Sequence, residues 1–376
     1  MAPSVQQTRT VLEKHRYLID DAEAAERGKV LIDYAREIVN RLRKSVMGNP
    51  ESADVLDIVR EYRDRNESTY LNFFWHALIN RSREVPQDIS GLLHQDCPTA
   101  GAQQRIGEWA EREFSKDGVS VNWNAPFETG CMPPLHSDDP LSISLFRDLP
   151  RVANPVPDLA YAYSKKTFTT DQRIIIGNLG CELTAKMSHC FFIVEAKSMN
   201  APVTEAENQA CRGGAAMVWN RRRFNAAAER ARKKRPSAEP SPPNATVSAF
   251  DQSFPNPPEP LADDHWPRPD FNSFAFSFCF DATVANLFVH WAELCSAADI
   301  TWHMSLLRCY NLSDREAYRH MRHDIDNILD WGASVRLTEI RAQIKDLEAV
   351  YENPKPTAKR RREATQEDGG DDDVRR

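Results

Sequence analysis

The chain has 376 residues, of which 41% are hydrophobic and 27% are charged, and its formal net charge is −7. This composition is typical of a globular protein, and the net charge excludes a uniformly basic nucleic-acid-binding surface. The first twenty residues lack the apolar segment of a secretory signal, and no apolar run reaches the roughly 18 residues of a membrane span. We therefore expect no membrane partner and residence in the nucleus or the cytoplasm.

The eight cysteines are scattered and include no Cys-x-x-Cys pair. This spacing argues against a zinc finger or zinc ribbon. In a reducing compartment the cysteines are expected to remain free thiols.

The first part of the chain, residues 1–95, is predicted to be a helical N-terminal region. Apolar residues recur at three- and four-residue spacing from Val11 to Val46, and a second helical segment starts near Glu51. A third segment contains the aromatic cluster Phe73-Phe74-Trp75, which is expected to pack against the rest of the protein.

A core of helices and strands is predicted in two parts, residues 96–220 and 271–347. The first part is expected to contain a helix at 101–116, strands at 119–123, 156–163, 173–176 and 190–194, and a helix at 204–219. The second part is expected to contain strands at 274–280, 284–291 and 300–307, and helices from about 314 to 347. The predicted fold class is α+β, with a mixed sheet flanked by helices.

Two segments lack any apolar periodicity. Residues 221–270 are basic at first and then rich in proline, and they are predicted to form a disordered insertion. Residues 348–376 form a charged tail that is also predicted to be disordered.

Two polar motifs lie at the ends of predicted buried strands. Pro157-Asp158 precedes an apolar run, and Glu195-Ala196-Lys197 directly follows the run from Cys190 to Val194. Side chains alternate along a strand, so Glu195 and Lys197 are expected to point to the same face. If Asp158 lies on the neighbouring strand, two carboxylates and an ammonium group meet at one place.

Such a site fits the hydrolysis of a phosphodiester bond. Mg²⁺ (or Mn²⁺) prefers hard oxygen ligands and commonly takes only one or two protein carboxylates. The metal can activate a water, and the lysine can orient that water or offset the charge of the phosphate. The alternative is an ordinary solvated Glu–Lys pair of little energetic weight.

These motifs, with the following helix at 205–220, resemble the PD-(D/E)XK nuclease superfamily. More narrowly, they resemble a fungal family of that type whose activity is not assigned, and the likeness continues in the segments 289–293 and 327–332. The resemblance implies a restriction-endonuclease-like core in which Asp158 and Glu195 bind metal, Lys197 is catalytic and Gln209 lines the site.

Some members of the superfamily add an acidic residue from the first core helix, for which Glu108 and Glu111 are both candidates. His290 is interpreted as a structural histidine of a strand rather than a metal ligand.

The implied function is a Mg²⁺-dependent nuclease, and the alternative is a catalytically inactive module that binds nucleic acid or protein with the same fold. The basic segment from Arg221 to Arg235 could contact a nucleic-acid backbone, DNA more than RNA. The clusters Arg232–Arg235 and Lys359–Arg362 are typical of nuclear localisation signals, so the nucleus is favoured over the cytoplasm. The sequence does not indicate an oligomeric state.

Overall fold

A computed structural model describes residues 4–42, 49–62, 64–79, 105, 118–133, 154–184, 186–198, 201–234, 254–255, 258, 267–296 and 299–351. Of the sequence-based predictions, the helix at 101–116, apart from Arg105, and the tail from 352 onward lie outside this range. Most of the segment 235–266 also lies outside it.

The N-terminal part is mainly helical, as predicted, but it also contributes a strand. Its elements are α1 (Val5–Lys14), β1 (Tyr17–Ile19), α2 (Ala22–Arg27), α3 (Lys29–Val39), α4 (Asn49–Tyr62) and α5 (Glu67–Ile79). The expectation of a purely helical region was wrong at β1. Arg16 and Asp20, on either side of this strand, have positive φ angles of 59° and 53°. These two left-handed residues interrupt the helical path and turn Tyr17–Ile19 into the sheet.

The remaining elements alternate between strands and helices. They are β2 (Val119–Trp123), β3 (Leu159–Ser164), α6 (Thr170–Asn178), β4 (Met187–Ala196), α7 (Val203–Lys234), β5 (Arg268–Pro269), β6 (Ala275–Phe280), β7 (Val284–Leu294), β8 (Ile300–Asn311), α8 (Arg315–Trp331) and α9 (Leu337–Tyr351). A single π-helical stretch, Gly332–Arg336, joins α8 to α9.

The strands form one mixed sheet in the order β1-β8-β7-β6-β4-β3-β2, and β5 pairs with β7. The β1–β8 and β4–β6 pairs are parallel, and the other pairs are antiparallel. Helices flank the sheet, so the predicted mixed sheet of an α+β protein is confirmed. Within the described residues, no helix is long and apolar enough to cross a membrane.

The two faces of the sheet bury different kinds of side chain. On one face α5 inserts Phe74 and Trp75 among the aromatic residues of the strands, and Trp75 Nε1 donates a hydrogen bond of 2.8 Å to Tyr161 Oη. The predicted packing of the aromatic cluster is thereby confirmed. On the other face α7 packs small residues such as Ala210 and Ala215 against the sheet.

Two further predictions about the elements were wrong. Residues 173–176 are not a strand but belong to α6, which a capping box formed by Thr169 and Gln172 begins. Only Ile175 and Ile176 of this segment are buried, while Ile174 is 56% exposed, which fits one face of a helix rather than a core strand.

The start predicted for the disordered insertion, residue 221, was wrong, because residues 221–234 continue helix α7. Phe224, Ala228 and Ala231 are buried, and they place apolar contacts at helical spacing within the basic segment. These few apolar residues are separated by many arginines, so the segment shows no clear apolar periodicity in the sequence.

Candidate functional site

The pairing of β3 with β4 brings the two predicted carboxylates together. Leu159 pairs with Val194 in antiparallel register. Asp158 directly precedes Leu159 and Glu195 directly follows Val194, so these two carboxylates are neighbours at the same end of the two strands. The Asp158 Oδ2 atom accepts a hydrogen bond of 2.7 Å from the backbone N–H of Ala196. The ends of two adjacent strands therefore hold both carboxylates in fixed positions.

Glu195 is the most deeply buried member of the site. It is 1% exposed, and among the described residues its Oε1 atom has no hydrogen-bond partner. Burial raises the pKa of Glu195 well above its usual value, and the negative charge of Asp158 adds to this effect. An unpartnered carboxylate oxygen in the interior is costly unless a ligand or a cation satisfies it.

Asp158 is half-buried and titrates near neutrality. Burial, together with the carboxylate of Glu67, raises its pKa to about 7, although the hydrogen bond from Ala196 and the charge of Lys197 act in the opposite direction. The site can thus take up or release a proton close to physiological pH.

Lys197 follows β4 directly and forms an ion pair that the sequence did not predict. Its Nζ atom lies 3.0 Å from Oε1 of Glu67, in the first turn of α5, and Lys197 is 5% exposed. Burial lowers the pKa of Lys197, but the carboxylates of Glu67 and Asp158 outweigh this effect and raise it overall. Lys197 is therefore held in its charged form.

Glu67 was not among the acidic residues predicted for the site, and the candidates Glu108 and Glu111 lie outside the described residues. An acidic residue is common in the first turn of a helix because its negative charge interacts favourably with the positive end of the helix dipole. Nothing in the sequence separates Glu67 from that ordinary role, since its contact with Lys197 depends on the docking of α5.

The helix α7 lies close above β4 and carries the remaining side chains of the site. A Cβ atom at Gly213 would lie 2.5 Å from Cδ1 of Ile193, so a larger residue there would require the Ile193 side chain or α7 to shift. Gln209 lies one turn before Gly213, roughly level with Glu195, and it is half-buried. The described hydrogen bonds do not join its side chain to the carboxylates.

Arg212 is a second residue that the sequence reasoning missed. This half-buried arginine of α7 acts on Glu195, and its positive charge favours the ionised form of that carboxylate without offsetting its burial. A basic residue three positions after Gln209 would have been a signal, because residues at this spacing share a helix face.

His290 is structural, as predicted. It is buried, its Nε2 atom lies 2.7 Å from Ser277 Oγ, and burial lowers its pKa to about 3. It packs beneath Gly214 of α7 and takes no part in the carboxylate site.

The donor set fits a hard divalent cation held by few protein ligands. Within the described residues, no group of three or more His, Cys, Asp or Glu side chains is arranged to hold a metal ion. Two neighbouring carboxylates, one with an unsatisfied buried oxygen, nevertheless suit Mg²⁺, which keeps several waters in its coordination sphere. A cation at this position would also offset the burial and the like-charge repulsion that together raise both pKa values.

Comparison with known proteins finds a similarity to one family model over part of the chain, and this similarity carries no activity. Residues 59–236 match the model of a family described as a domain of unknown function, DUF7924. This segment contains Glu67, Asp158, Glu195, Lys197 and Arg212, so all the side chains of the site lie within the similar region. No curated protein and no solved structure matches the chain.

Proposed function

We propose that the protein is a Mg²⁺- or Mn²⁺-dependent nuclease with a PD-(D/E)XK-type site on a restriction-endonuclease-like core. One observation carries the proposal: the buried carboxylates of Asp158 and Glu195 meet at the ends of two paired strands, with a charged lysine directly after them. A metal site beside a fixed positive charge is a combination that suits phosphodiester hydrolysis.

Each residue has a distinct role in this proposal. Asp158 and Glu195 would hold the metal, which when bound polarises a phosphoryl oxygen and makes its water more acidic. Because the pKa of Lys197 is raised, its ammonium group acts as a hydrogen-bond donor to water or phosphate and not as a general base. Glu67 positions that ammonium group, and Gln209 lies where it could contact substrate.

The proposed substrate is nucleic acid, DNA more than RNA, and the proposed compartment is the nucleus. A uniformly acidic protein would repel a polyanion, so binding would depend on local basic surfaces. The localisation rests on the basic clusters near residues 232–235 and 359–362.

Calorimetric titration with Mg²⁺ and Mn²⁺ tests the metal site. We expect wild type to bind either ion and Glu195→Gln and Asp158→Asn to lose at least about tenfold in affinity, since each variant removes one of few charged ligands. Glu182→Gln is the matched control, because Glu182 pairs with Lys165 away from the site. Unchanged metal affinity in both site variants would remove the basis of the proposal.

Cleavage assays with single- and double-stranded DNA and RNA then test the activity. Lys197→Ala is expected to bind metal yet to lose about 10²-fold or more in cleavage rate, as removal of a charge that stabilises the transition state does. Lys186→Ala, an exposed lysine close to β4, is the control for the loss of one charge.

The second candidate is a binding module without catalysis. The ion pair between Lys197 and Glu67 favours it, because a lysine already engaged by a carboxylate is less available to a phosphate. If this candidate is correct, the protein binds nucleic acid with an affinity that falls as salt rises, and Glu195→Gln leaves that affinity unchanged. No cleavage is then expected with any divalent metal ion.

A further inference from the structure

Helix α7 carries a line of basic residues and one tryptophan along a single face. These residues, called the α7 stripe below, are Arg212, Trp219, Arg223, Arg230 and Lys234. They follow one another at steps of seven, four, seven and four residues. Such steps are close to two turns and one turn of an α-helix, so the five side chains share one face over about 33 Å.

Most other basic residues of the same helix segment are neutralised within the fold. Arg221 pairs with Glu339, Arg222 with Asp270, Arg232 with Asp346 and Lys233 with Glu229. These pairs account for much of the basic cluster that the sequence had suggested as a nucleic-acid contact.

The stripe differs from these residues. Arg223, Arg230 and Lys234 form no salt bridge with other described residues, and Arg223 donates only to the neutral carbonyl of Gly130 at 3.1 Å. Arg230 and Lys234 are exposed and border a groove of about 160 Å³ between α7 and α9. Glu229, the acidic residue of this region of α7, lies off the stripe and pairs with Lys233. Arg223, Arg230 and Lys234 therefore carry positive charge that no salt bridge with another described residue offsets.

Trp219 gives the stripe an aromatic surface. Trp219 is half-buried, and its ring packs nearly perpendicular to that of Trp302, at a centroid distance of 6.2 Å and an angle of 86°. The guanidinium carbon of Arg223 lies 5.9 Å from the ring centroid of Trp219. An indole ring beside a planar guanidinium group suits stacking with an unpaired base, whereas bases of a duplex are not accessible to such stacking.

One end of the stripe reaches the carboxylate site. The contact of Gly213 with Ile193 fixes α7 above β4, and Arg212 is the residue directly before Gly213. Ile193 lies two residues before Glu195 on the same strand. A polyanion that followed the stripe would thus pass from Lys234 towards the carboxylates.

We propose that the α7 stripe binds single-stranded nucleic acid, with phosphates on its cations and an unpaired base on Trp219, and leads the strand to Asp158 and Glu195. This inference rests on the proposed nuclease function and specifies the form of its substrate. Phosphate contacts supply affinity without sequence preference, and stacking selects single strands over duplexes.

Binding of fluorescently labelled oligonucleotides of about 15 nucleotides, measured by anisotropy in EDTA, tests the stripe without any cleavage. Wild type is expected to prefer single strands over the matching duplex. Trp219→Leu is expected to weaken single-strand binding by about tenfold or more and Trp219→Phe to retain most of it, because phenylalanine keeps a stacking surface.

Charge contributes separately to the same measurement. Arg223→Ala and Arg230→Ala are each expected to reduce the slope of log K against log salt by about 0.7, the value for one phosphate contact of a single strand. Arg232→Ala is the matched control, since Arg232 lies on the same helix but off the stripe and pairs with Asp346. Thermal melting of each variant checks that the packing of Trp219 on Trp302 is retained.

The outcomes separate the two proposals. Stronger binding to duplex, or equal effects of Arg223→Ala and Arg232→Ala, would refute the stripe, whatever the enzyme cleaves. Stripe-dependent binding in a protein that neither binds metal nor cleaves would refute the nuclease and leave the stripe supported. Cleavage whose kcat/KM falls in Trp219→Leu while metal affinity is unchanged would support both.

Discussion

At the scale of single residues, the site is held in an electrostatically unfavourable state. Asp158 and Glu195 are placed together by strand pairing, and burial penalises the negative charge of each. Proteins tolerate such an arrangement where a ligand relieves it, so the cost in stability is a physical sign of function.

The pH dependence of stability should reveal this cost. The Asp158 carboxyl has a pKa of about 7 in the fold, against 3.8 for an aspartate in an unfolded chain, so the folded state loses stability as pH rises from about 4 to 7. The difference corresponds to at most about 4 kcal/mol above pH 7. Asp158→Asn should therefore stabilise the metal-free protein at pH 8 and change little at pH 4.

Urea unfolding in EDTA at both pH values provides the measurement. Asp57→Asn, at an exposed aspartate whose side chain is 74% accessible, is the control and should alter stability little at either pH. Equal stability of wild type and Asp158→Asn at pH 8 would mean that Asp158 is not strained in the fold.

A second prediction at this scale concerns the effect of Glu67 on the pKa values of its neighbours. Its carboxylate raises the pKa of both Lys197 and Asp158, so Glu67→Gln should lower both. If the enzyme needs a charged lysine and an ionised aspartate, the whole pH profile of cleavage should move to lower pH. Glu182→Gln, which faces Lys165, should leave the profile in place, and so should Glu67→Gln if that residue forms only a surface ion pair.

The sequence predicted part of this site for a clear reason. Asp158, Glu195 and Lys197 lie next to apolar runs, so local sequence alone places them at strand ends. Glu67 and Arg212 come from helices whose contact with Lys197 and Glu195 is set by tertiary packing. No local pattern distinguishes Glu67 from other charged helix residues, and Arg212 is marked only by its three-residue spacing from Gln209.

At the scale of elements, α7 depends on two adjacent glycines for its close approach to the sheet. A Cβ atom at Gly214 would lie 1.9 Å from Nδ1 of His290, and this ring is held in place by Ser277. The glycine pair therefore sets the distance between the helix face that carries Gln209 and Arg212 and the strand that carries Glu195.

Gly214→Ala should lift or tilt α7. We expect a loss of about 1–3 kcal/mol in the free energy of unfolding, as for other overpacked positions, together with weaker metal binding. Gly130→Ala is the control, because a Cβ atom there would meet nothing within 4 Å. Chemical denaturation measures the first effect and calorimetry the second, and a fully neutral Gly214→Ala would show that α7 can shift at little cost.

Element boundaries were predictable where burial followed a simple period. The alternating phenylalanines of β6 and the hairpin to β7 were placed correctly from sequence. The strand β1 and the helix α6 were not, because three residues or a run of isoleucines carry too little periodicity to separate the two states.

At the scale of the whole molecule, the N-terminal region is an integral part of the fold. Tyr70, Phe74 and Trp75 of α5 are all fully buried against the sheet, and α2 contributes Arg27 to a salt bridge with the buried Glu293 of β7. Glu67, at the start of α5, connects the region to the candidate site. The boundary at residue 95 therefore marks a change in the pattern of the sequence, and it does not separate two parts that pack independently.

A chain that starts at Gln95 should therefore fail to fold. Loss of α5 alone would expose several aromatic side chains, each of which contributes about 1.5–3 kcal/mol when buried. We expect aggregation in gel filtration and no cooperative thermal transition. A monomeric, cooperatively melting chain would show instead that the N-terminal helices are an accessory layer.

The parallel pairing of β1 with β8 has a consequence for the way the molecule is made. Tyr17 is synthesised long before its partner Trp302, which lies on the last strand of the described sheet. During translation β1 therefore has no partner strand until β8 has been made. A nascent chain therefore cannot pair β1 with β8, or hold Arg27 against Glu293 across 266 residues, until β7 and β8 have been synthesised.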